Sequence, residues 1–244
     1  MKKACLIVSF FIALFIYTAN ALLIEVGISE KLDGEIVHFT YNTSTNLVKF
    51  SSEFRNTGSV GYKARMRIDI FGNSSIFTSW SDEKALLPGA RKNYESYWYI
   101  NTSGNFTARL RMYFGNEIYE KEFSFGINQS VVPEDIFEIS GFRTYENRVA
   151  FRVNAGKPLE GAVAIPYNYP KAWVFEQSKV PGSGDVTLFY EPALWRPSDV
   201  TIGIVSDDGR YFTSRTFRMD KKIDILFITF YIMDSIKPLL AKTI

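Results

Sequence analysis

Few residues in this sequence could carry out acid–base or nucleophilic chemistry. His38 is the only histidine, and it lies between Val37 and Phe39 in a run typical of a strand. Cys5 is the only cysteine. A Ser–His–Asp triad, a histidine-rich metal site and a cysteine nucleophile all need residues that the sequence hardly supplies. We therefore expect a non-enzymatic protein with no catalytic residues, no cofactor and no metal ion.

Paired carboxylates could in principle hydrolyse a glycosidic bond. The acidic residues, however, lie in a turn (Asp207 and Asp208) or opposite arginines in a hairpin (Glu120 and Glu122). Asp207 and Asp208 offer oxygen ligands to calcium, but further spaced carboxylates are missing, so a plain hairpin turn explains them better. The alternative function is a carbohydrate-binding or carbohydrate-active β-sandwich protein.

Aromatic side chains are the other candidates for a binding surface. Trp173, Trp195 and Tyr169 lie in segments that resemble loops or strand ends, where binding residues of rigid sandwiches are often found. Aromatic residues at strand spacing more often belong to the core, and that interpretation is favoured. The net charge of +2 and the mixing of acidic with basic residues give no support to nucleic-acid binding. The expected partner is a cell-surface protein or a glycan.

The N-terminus has the three parts of a secretory signal peptide. Residues 1–3 are Met-Lys-Lys, residues 4–17 are apolar or small, and Ala19-Asn20-Ala21 matches an A-x-A cleavage site. The apolar run is too short to span a bilayer comfortably, which favours cleavage after Ala21 over an uncleaved anchor. We expect an extracytoplasmic protein that is secreted or attached to the cell surface.

Five N-x-S/T sequons occur, and all of them lie before residue 131. Their asparagines are Asn42, Asn73, Asn101, Asn105 and Asn128. Sequons on an exported chain mark exposed loops when they are used, although such tripeptides also arise by chance. Because they cluster, these asparagines are the glycosylation candidates.

Alternation of apolar and polar residues predicts strands along most of the remaining chain. Residues 62–71 and 106–114 both alternate, and Gly115-Asn116 then separates two alternating runs, which is the signal of a two-residue hairpin. The predicted pairs are Phe114 with Glu117, Arg111 with Glu120, and Arg109 with Glu122. Two opposite-charge pairs across the ladder support this register. Lys121 falls on the apolar side and must extend towards solvent or lie at an edge.

The segment after Gly126 lacks periodicity, contains Pro133 and predicts a linker before a second series of strands. The expected fold class is all-β, with two consecutive immunoglobulin-like β-sandwich domains after the N-terminal signal peptide. The predicted boundaries are 1–21 for the signal peptide, 22–130 and 131–220 for the two sandwiches, and 221–244 for an apolar tail.

Two turn motifs and an aromatic strand follow one another in the first sandwich. They are Phe54-Arg55-Asn56-Thr57-Gly58, then Leu87-Pro88-Gly89, then Tyr94, Trp98 and the strand over residues 104–113. In these features the domain resembles the CARDB-like, immunoglobulin-type modules of exported archaeal and bacterial surface proteins. Such modules are spacers, adhesion units or binding domains. The resemblance therefore implies an adhesion, binding or envelope-structural role.

The C-terminal tail contains an unexpected apolar run. After Lys221-Lys222, the run Ile225–Met233 is uncharged and apolar. It is too short to cross a hydrocarbon core that needs about 20 residues. A last strand, a loosely ordered tail and a membrane contact through Ile225–Met233 are three open alternatives.

Overall fold

The structure is a computed structural model that describes residues 30–72, 76–128, 131–169, 173–191 and 199–219. The described residues from Leu32 onwards belong to one compact unit. The signal peptide and the tail over residues 221–244 lie outside the described residues, so both stay predictions.

The described chain is all-β, as the alternating sequence predicted. Its strands form four sheets, in which every neighbouring pair is antiparallel. The strands surround two hydrophobic cores, and we name the parts around them the N-terminal sandwich (β1–β8) and the C-terminal sandwich (β9–β16).

The N-terminal sandwich packs a three-stranded sheet, in the order β1-β2-β6, on a sheet in the order β4-β3-β7-β8. The short strand β5 pairs with β3. The strands are β1 (Gly34–Ser44), β2 (Leu47–Asn56), β3 (Tyr62–Phe71), β4 (Ile76–Trp80), β5 (Lys84–Leu86), β6 (Arg91–Tyr99), β7 (Gly104–Phe114) and β8 (Glu117–Ile127).

The core of the N-terminal sandwich lies between its two sheets and is filled by large apolar side chains. On β3 the inward residues are those that the alternation predicted, Ala64, Met66, Ile68 and Ile70, and all are fully buried. Phe50 and Phe54 from β2 face them across the sandwich. Burial of such side chains contributes about 1.5–3 kcal/mol each, which lets a sandwich without disulfides hold together.

The predicted hairpin at Gly115-Asn116 is confirmed, including its register. Gly115 has a φ of 54°, which favours glycine at the turn. The paired residues include Phe114 with Glu117, Arg111 with Glu120, and Arg109 with Glu122. Arg111 Nε donates to Glu120 Oε2 over 2.5 Å, so the charge pairing that set the register forms an actual contact. Lys121 is exposed on β8, the outer strand of its sheet, as expected.

The C-terminal sandwich repeats the strand order of the first. The sheet β9-β10-β14 corresponds to β1-β2-β6, with β12 added beside β14, and the sheet β13-β11-β15-β16 corresponds to β4-β3-β7-β8. The strands are β9 (Phe137–Thr144), β10 (Arg148–Ala155), β11 (Ala162–Tyr167), β12 (Val174–Phe175), β13 (Ser178–Val180), β14 (Gly184–Glu191), β15 (Asp199–Ser206) and β16 (Phe212–Arg218). The predicted domain boundary between residues 130 and 131 stays a prediction.

Candidate functional site

The two sandwiches bury an apolar interface between them. Its buried members are Leu47, Tyr97, Tyr99, Val163, Ile165 and Val205. The rings of Tyr99 and Phe212 stack across it, with their centroids 3.8 Å apart and an angle of 6° between their planes. This contact between the two rings adds to the apolar area buried between the sandwiches. The contact is therefore a second hydrophobic packing surface and not a loose tether.

Strand β11 is the element that makes this interface possible. Ala162 and Ala164 point into the core of the C-terminal sandwich, while Val163 and Ile165 face the interface. A strand buried on both faces loses its polar alternation, which explains the continuous apolar run at this place.

The side-chain amide of Gln177 pairs with the outer edge of β6. Tyr97 N donates to Gln177 Oε1 over 2.7 Å, and Gln177 Nε2 donates to the Tyr97 carbonyl oxygen over 2.7 Å. Opposite residues of antiparallel strands exchange this same pair of bonds. Gln177 therefore occupies the place of a partner strand at Tyr97, and we call this contact the Gln177 clamp.

A second amide fixes the segment that joins the sandwiches. Asn46 Nδ2 donates to the Val131 carbonyl oxygen over 2.5 Å, and Val131 N donates to Asn46 Oδ1 over 3.1 Å. Glu134 N donates to the Arg210 carbonyl oxygen over 3.2 Å, which ties the same segment to the C-terminal sandwich. The predicted linker is thus held by hydrogen bonds to both sandwiches.

Two further polar contacts cross between the sandwiches. Tyr169 Oη donates to the Thr78 carbonyl oxygen over 2.9 Å. Arg65 Nη2 lies 2.6 Å from Glu191 Oε1 and 2.8 Å from Glu83 Oε1. Because the Arg65 side chain is mostly buried, this pairing is better shielded from solvent than an ordinary surface ion pair.

A cleft of about 490 Å³ opens between the sandwiches beside the Gln177 clamp. The N-terminal sandwich supplies Asp82, Lys84, Asn93, Glu95 and Tyr97. The C-terminal sandwich supplies Glu176, Gln177, Ser178, Lys179, Thr187 and Phe189. Phe189 is 46% exposed and is the apolar surface in a lining that is otherwise rich in charges and amides. The size falls within the range of ligand sites in proteins, and we take this cleft as the candidate functional site.

Glu95 is the firmly ionised carboxylate of the cleft. Burial alone raises its pKa, but hydrogen bonds from Lys49, Tyr97 and Lys179 outweigh burial and lower the pKa to about 2. The two Nζ atoms lie 2.7 Å and 2.9 Å from the carboxylate oxygens, and Tyr97 Oη donates over 2.6 Å. The Glu95 carboxylate is therefore already hydrogen-bonded by Lys49, Tyr97 and Lys179.

Glu176 differs from Glu95 in the direction of its pKa shift. Burial raises the pKa of Glu176 and outweighs the nearby charge of Arg65, which lowers it; Asp82 and Glu191 raise the pKa further, and a hydrogen bond from the backbone of Glu83 lowers it. Among the residues that the structure describes, no Lys or Arg nitrogen forms an ion pair with Glu176. The surroundings of this half-buried carboxylate therefore do not fully offset the cost of burying its charge.

Trp173 and Tyr169, two of the three aromatic residues proposed from the sequence, are not among the residues that line this cleft. Trp173 is fully buried in the core of the C-terminal sandwich and stacks on Tyr190, with their centroids 5.2 Å apart. Trp173 lies just before β12, and its ring turns inward, which agrees with the core position that the sequence favoured. Tyr169 joins the two sandwiches through its hydroxyl, and Trp195 lies outside the described residues.

The sequon asparagines lie on the surface wherever the structure describes them. The exposed members are Asn42, Asn101, Asn105 and Asn128, while Asn73 lies outside the described residues. Asn105 pairs with Gly126 at the start of β7, and Asn128 follows the end of β8. These two candidates therefore share one end of the N-terminal sandwich.

The remaining candidates from the sequence are His38 and the Asp207-Asp208-Gly209 turn. His38 is an exposed residue of β1. The Asp207-Asp208-Gly209 turn belongs to a loop over residues 207–210, which is closed by Ser206 N donating to the Tyr211 carbonyl oxygen. In the described ranges, no group of three or more His, Cys, Asp or Glu side chains is placed to hold a metal ion. The same ranges contain no helix long and apolar enough to cross a membrane.

No protein-family model matches the chain. No curated protein sequence matches it either. Among solved structures, it is similar to red sea bream transglutaminase, with 12% identity and a TM-score of 0.26, over 79% of this chain and 31% of the transglutaminase. The YadV chaperone shows 8% identity and a TM-score of 0.28, over 77% of this chain and 99% of the chaperone.

A segment of chicken tenascin with two fibronectin type-III domains shows 13% identity and a TM-score of 0.25, over 78% of this chain and 100% of the segment. The chain thus spans about a third of the transglutaminase and nearly all of the other two. Similarity at this level carries no argument about function, so the candidate site is interpreted from its own residues.

Proposed function

We propose that the chain is an exported, non-enzymatic β-sandwich protein, secreted or attached to the cell surface, with a binding or envelope-structural role. The observation that supports it best is the interface between the sandwiches. Apolar packing, the Gln177 clamp and the Asn46 contact with Val131 fix the two sandwiches against each other. A rigid pair of sandwiches suits a protein that presents a fixed surface to a partner.

The carbohydrate-active alternative deserves comparison, because the cleft contains carboxylates beside an exposed aromatic ring. Glu95 and Glu176 have pKa values shifted in opposite directions, which is also a feature of acid–base pairs in enzymes. Glu95, however, already accepts hydrogen bonds from two lysines and Tyr97. A carboxylate held in this way is better suited to stabilising the cleft than to attacking a substrate, so we favour binding over catalysis.

The placement of the sequons and the tail suggests an orientation on the cell. Four sequon asparagines of the N-terminal sandwich are exposed, so glycans could be attached without disturbing its core. The apolar run Ile225–Met233 follows the C-terminal sandwich in the sequence. In the proposed arrangement the N-terminal sandwich lies outermost and the C-terminus lies near the membrane.

Fractionation of expressing cells tests this proposal. The full chain and a chain ending at Asp220 are compared in medium, membrane and cytoplasm, and the N-terminus of the exported form is sequenced. We expect both chains outside the cytoplasm, the mature sequence Leu-Leu-Ile-Glu-Val, and membrane retention of the full chain alone. Cytoplasmic retention of both chains would contradict export. Equal release into the medium would contradict anchoring by the tail and favour free secretion.

A further inference from the structure

We propose that the cleft binds an extended segment of a partner polypeptide, which adds to the outer edge of β6 as a strand and places a lysine or arginine beside Glu176. This inference goes beyond the proposed function, because it names a site and the chemistry of its ligand. It rests on the backbone of β6, on the Gln177 clamp and on the charges of the cleft.

In the described part of the chain no strand pairs with the outer edge of β6, although Ser79 of β4 donates its hydroxyl to the Tyr97 carbonyl oxygen over 3.3 Å. β6 pairs with β2 on one side, in the order β1-β2-β6. On the other side its backbone groups point towards the cleft, since Tyr97 bonds with Gln177 and the Asn93 carbonyl oxygen accepts from Lys84 Nζ over 2.6 Å. Backbone direction alternates along a strand, so the N–H and C=O of Glu95, midway between them, face the same way.

The Gln177 clamp shows that this edge accepts peptide-like groups. A primary amide carries the same donor and acceptor as a peptide unit, and Gln177 uses both on Tyr97. From Tyr97 back to Asn93 the edge extends for roughly 14 Å, at about 3.4 Å per residue. An incoming strand of three or four residues fits this length and would continue the row of hydrogen bonds that Gln177 begins. Such strand addition to an exposed sheet edge is a recurrent way of binding peptides.

The side chains of the cleft indicate what the peptide carries. Glu176 is half-buried without an ion pair among the described residues, so a cation from the ligand would offset the cost of its burial. Asp82 lies 3.5 Å from Lys84 and keeps a largely exposed carboxylate. Phe189 offers an apolar surface to the aliphatic part of a lysine or arginine side chain. Backbone groups at strand spacing suit a polypeptide better than a saccharide.

Selection from a phage-displayed library of random heptapeptides, carried out on the full chain, tests the inference. We expect the selected peptides to contain lysine or arginine and β-branched residues. The decisive variant is Glu95→Pro, which removes the N–H that faces the cleft but no bond of the β2–β6 ladder. The matched control is Glu95→Gln, which removes the charge and keeps the N–H. We expect Glu95→Pro to weaken binding at least tenfold more than Glu95→Gln, equivalent to about 1.4 kcal/mol.

A second measurement makes the test independent of whether Glu95→Pro folds. In the unaltered protein, saturation with a selected peptide should slow amide hydrogen exchange at Glu95 at least about tenfold, as a new backbone hydrogen bond would. Unchanged exchange at Glu95, or equal peptide binding by the proline and glutamine variants, would overturn the inference. So would a selection that yields no lysine- or arginine-containing peptide. Much tighter peptide binding by a chain ending at Met219 would make the protein's own tail the occupant, and the partner would then be wrong.

Discussion

Replacing Ile165 by alanine removes apolar contact from the interface between the sandwiches while leaving both cores intact. Ile165 is fully buried and belongs to the interface cluster, not to either core. Truncating a buried isoleucine to alanine costs 2–5 kcal/mol, because transfer free energy is lost and a cavity remains. We expect the free energy of unfolding to fall by about 3 kcal/mol.

Equilibrium urea unfolding, followed by tryptophan fluorescence, measures this loss. Trp98 reports on the N-terminal core and Trp173 on the C-terminal core, so separate transitions of the two sandwiches would be visible. Ile118→Ala is the matched control, because Ile118 is 55% exposed on β8 and its truncation should change stability by no more than about 0.5 kcal/mol. If Ile165→Ala also lost less than about 1 kcal/mol, the interface would not be a stabilising contact and our reasoning would be refuted.

Three other predictions concern charged residues. Glu95 has a folded-state pKa of about 2, below its unfolded value, so its stabilisation is present above about pH 4.5 and is lost as the pH falls towards 2. Glu95→Gln should therefore flatten the acid side of a stability–pH curve from thermal melts, and an unchanged curve would contradict the ion pairs. Glu176 has a raised pKa, so its charged form is penalised at neutral pH, and Glu176→Gln should raise the melting temperature at pH 7 but not at pH 3. In urea unfolding, Glu120→Lys on the exposed hairpin should lower the free energy of unfolding by no more than about 1 kcal/mol. Asp69→Asn changes a buried carboxylate that lies 2.9 Å from Arg111, and it should lower the free energy of unfolding by about 3 kcal/mol. Equal losses of the free energy of unfolding would show that burial does not determine how much these ion pairs stabilise the protein.

Local features of the sequence were sufficient to predict the strands and the hairpin. The alternation at β3 and the Gly115-Asn116 turn each involve residues that are close in the chain, so side-chain period and turn chemistry determine them. The register followed because a one-residue slip would have separated Arg111 from Glu120. These predictions succeeded because the features they concern depend on residues that are close in the sequence.

The candidate site could not be predicted in the same way, because long-range contacts create it. Gln177 and Tyr97 are 80 residues apart in the sequence, and nothing near either residue indicates their pairing. The sequence favoured a core position for Trp173 but did not show what it packs against, because its partner Tyr190 lies on a later strand. Phe189 did carry a signal, because it alternates with buried residues of β14 and therefore faces outward.

The apolar run of β11 was a second signal of the interface. Residues 162–165 are apolar without a break, whereas a strand with one solvated face alternates. The run shows that both faces of β11 are covered, but the sequence does not show which surface covers the second face. That surface is formed by residues around Tyr97 and Tyr99.

The distance between spin labels on the two sandwiches tests most directly whether they form one rigid unit. Cys5 is the only native cysteine, so a Cys5→Ser background allows clean labelling of cysteines placed at Ile118 and Tyr145, both exposed. A pair at Ile118 and Leu87, within the N-terminal sandwich, gives the reference width. The account predicts a single distance distribution across the sandwiches that is as narrow as the reference. A broad or multiple distribution would show that the sandwiches move independently and would contradict it.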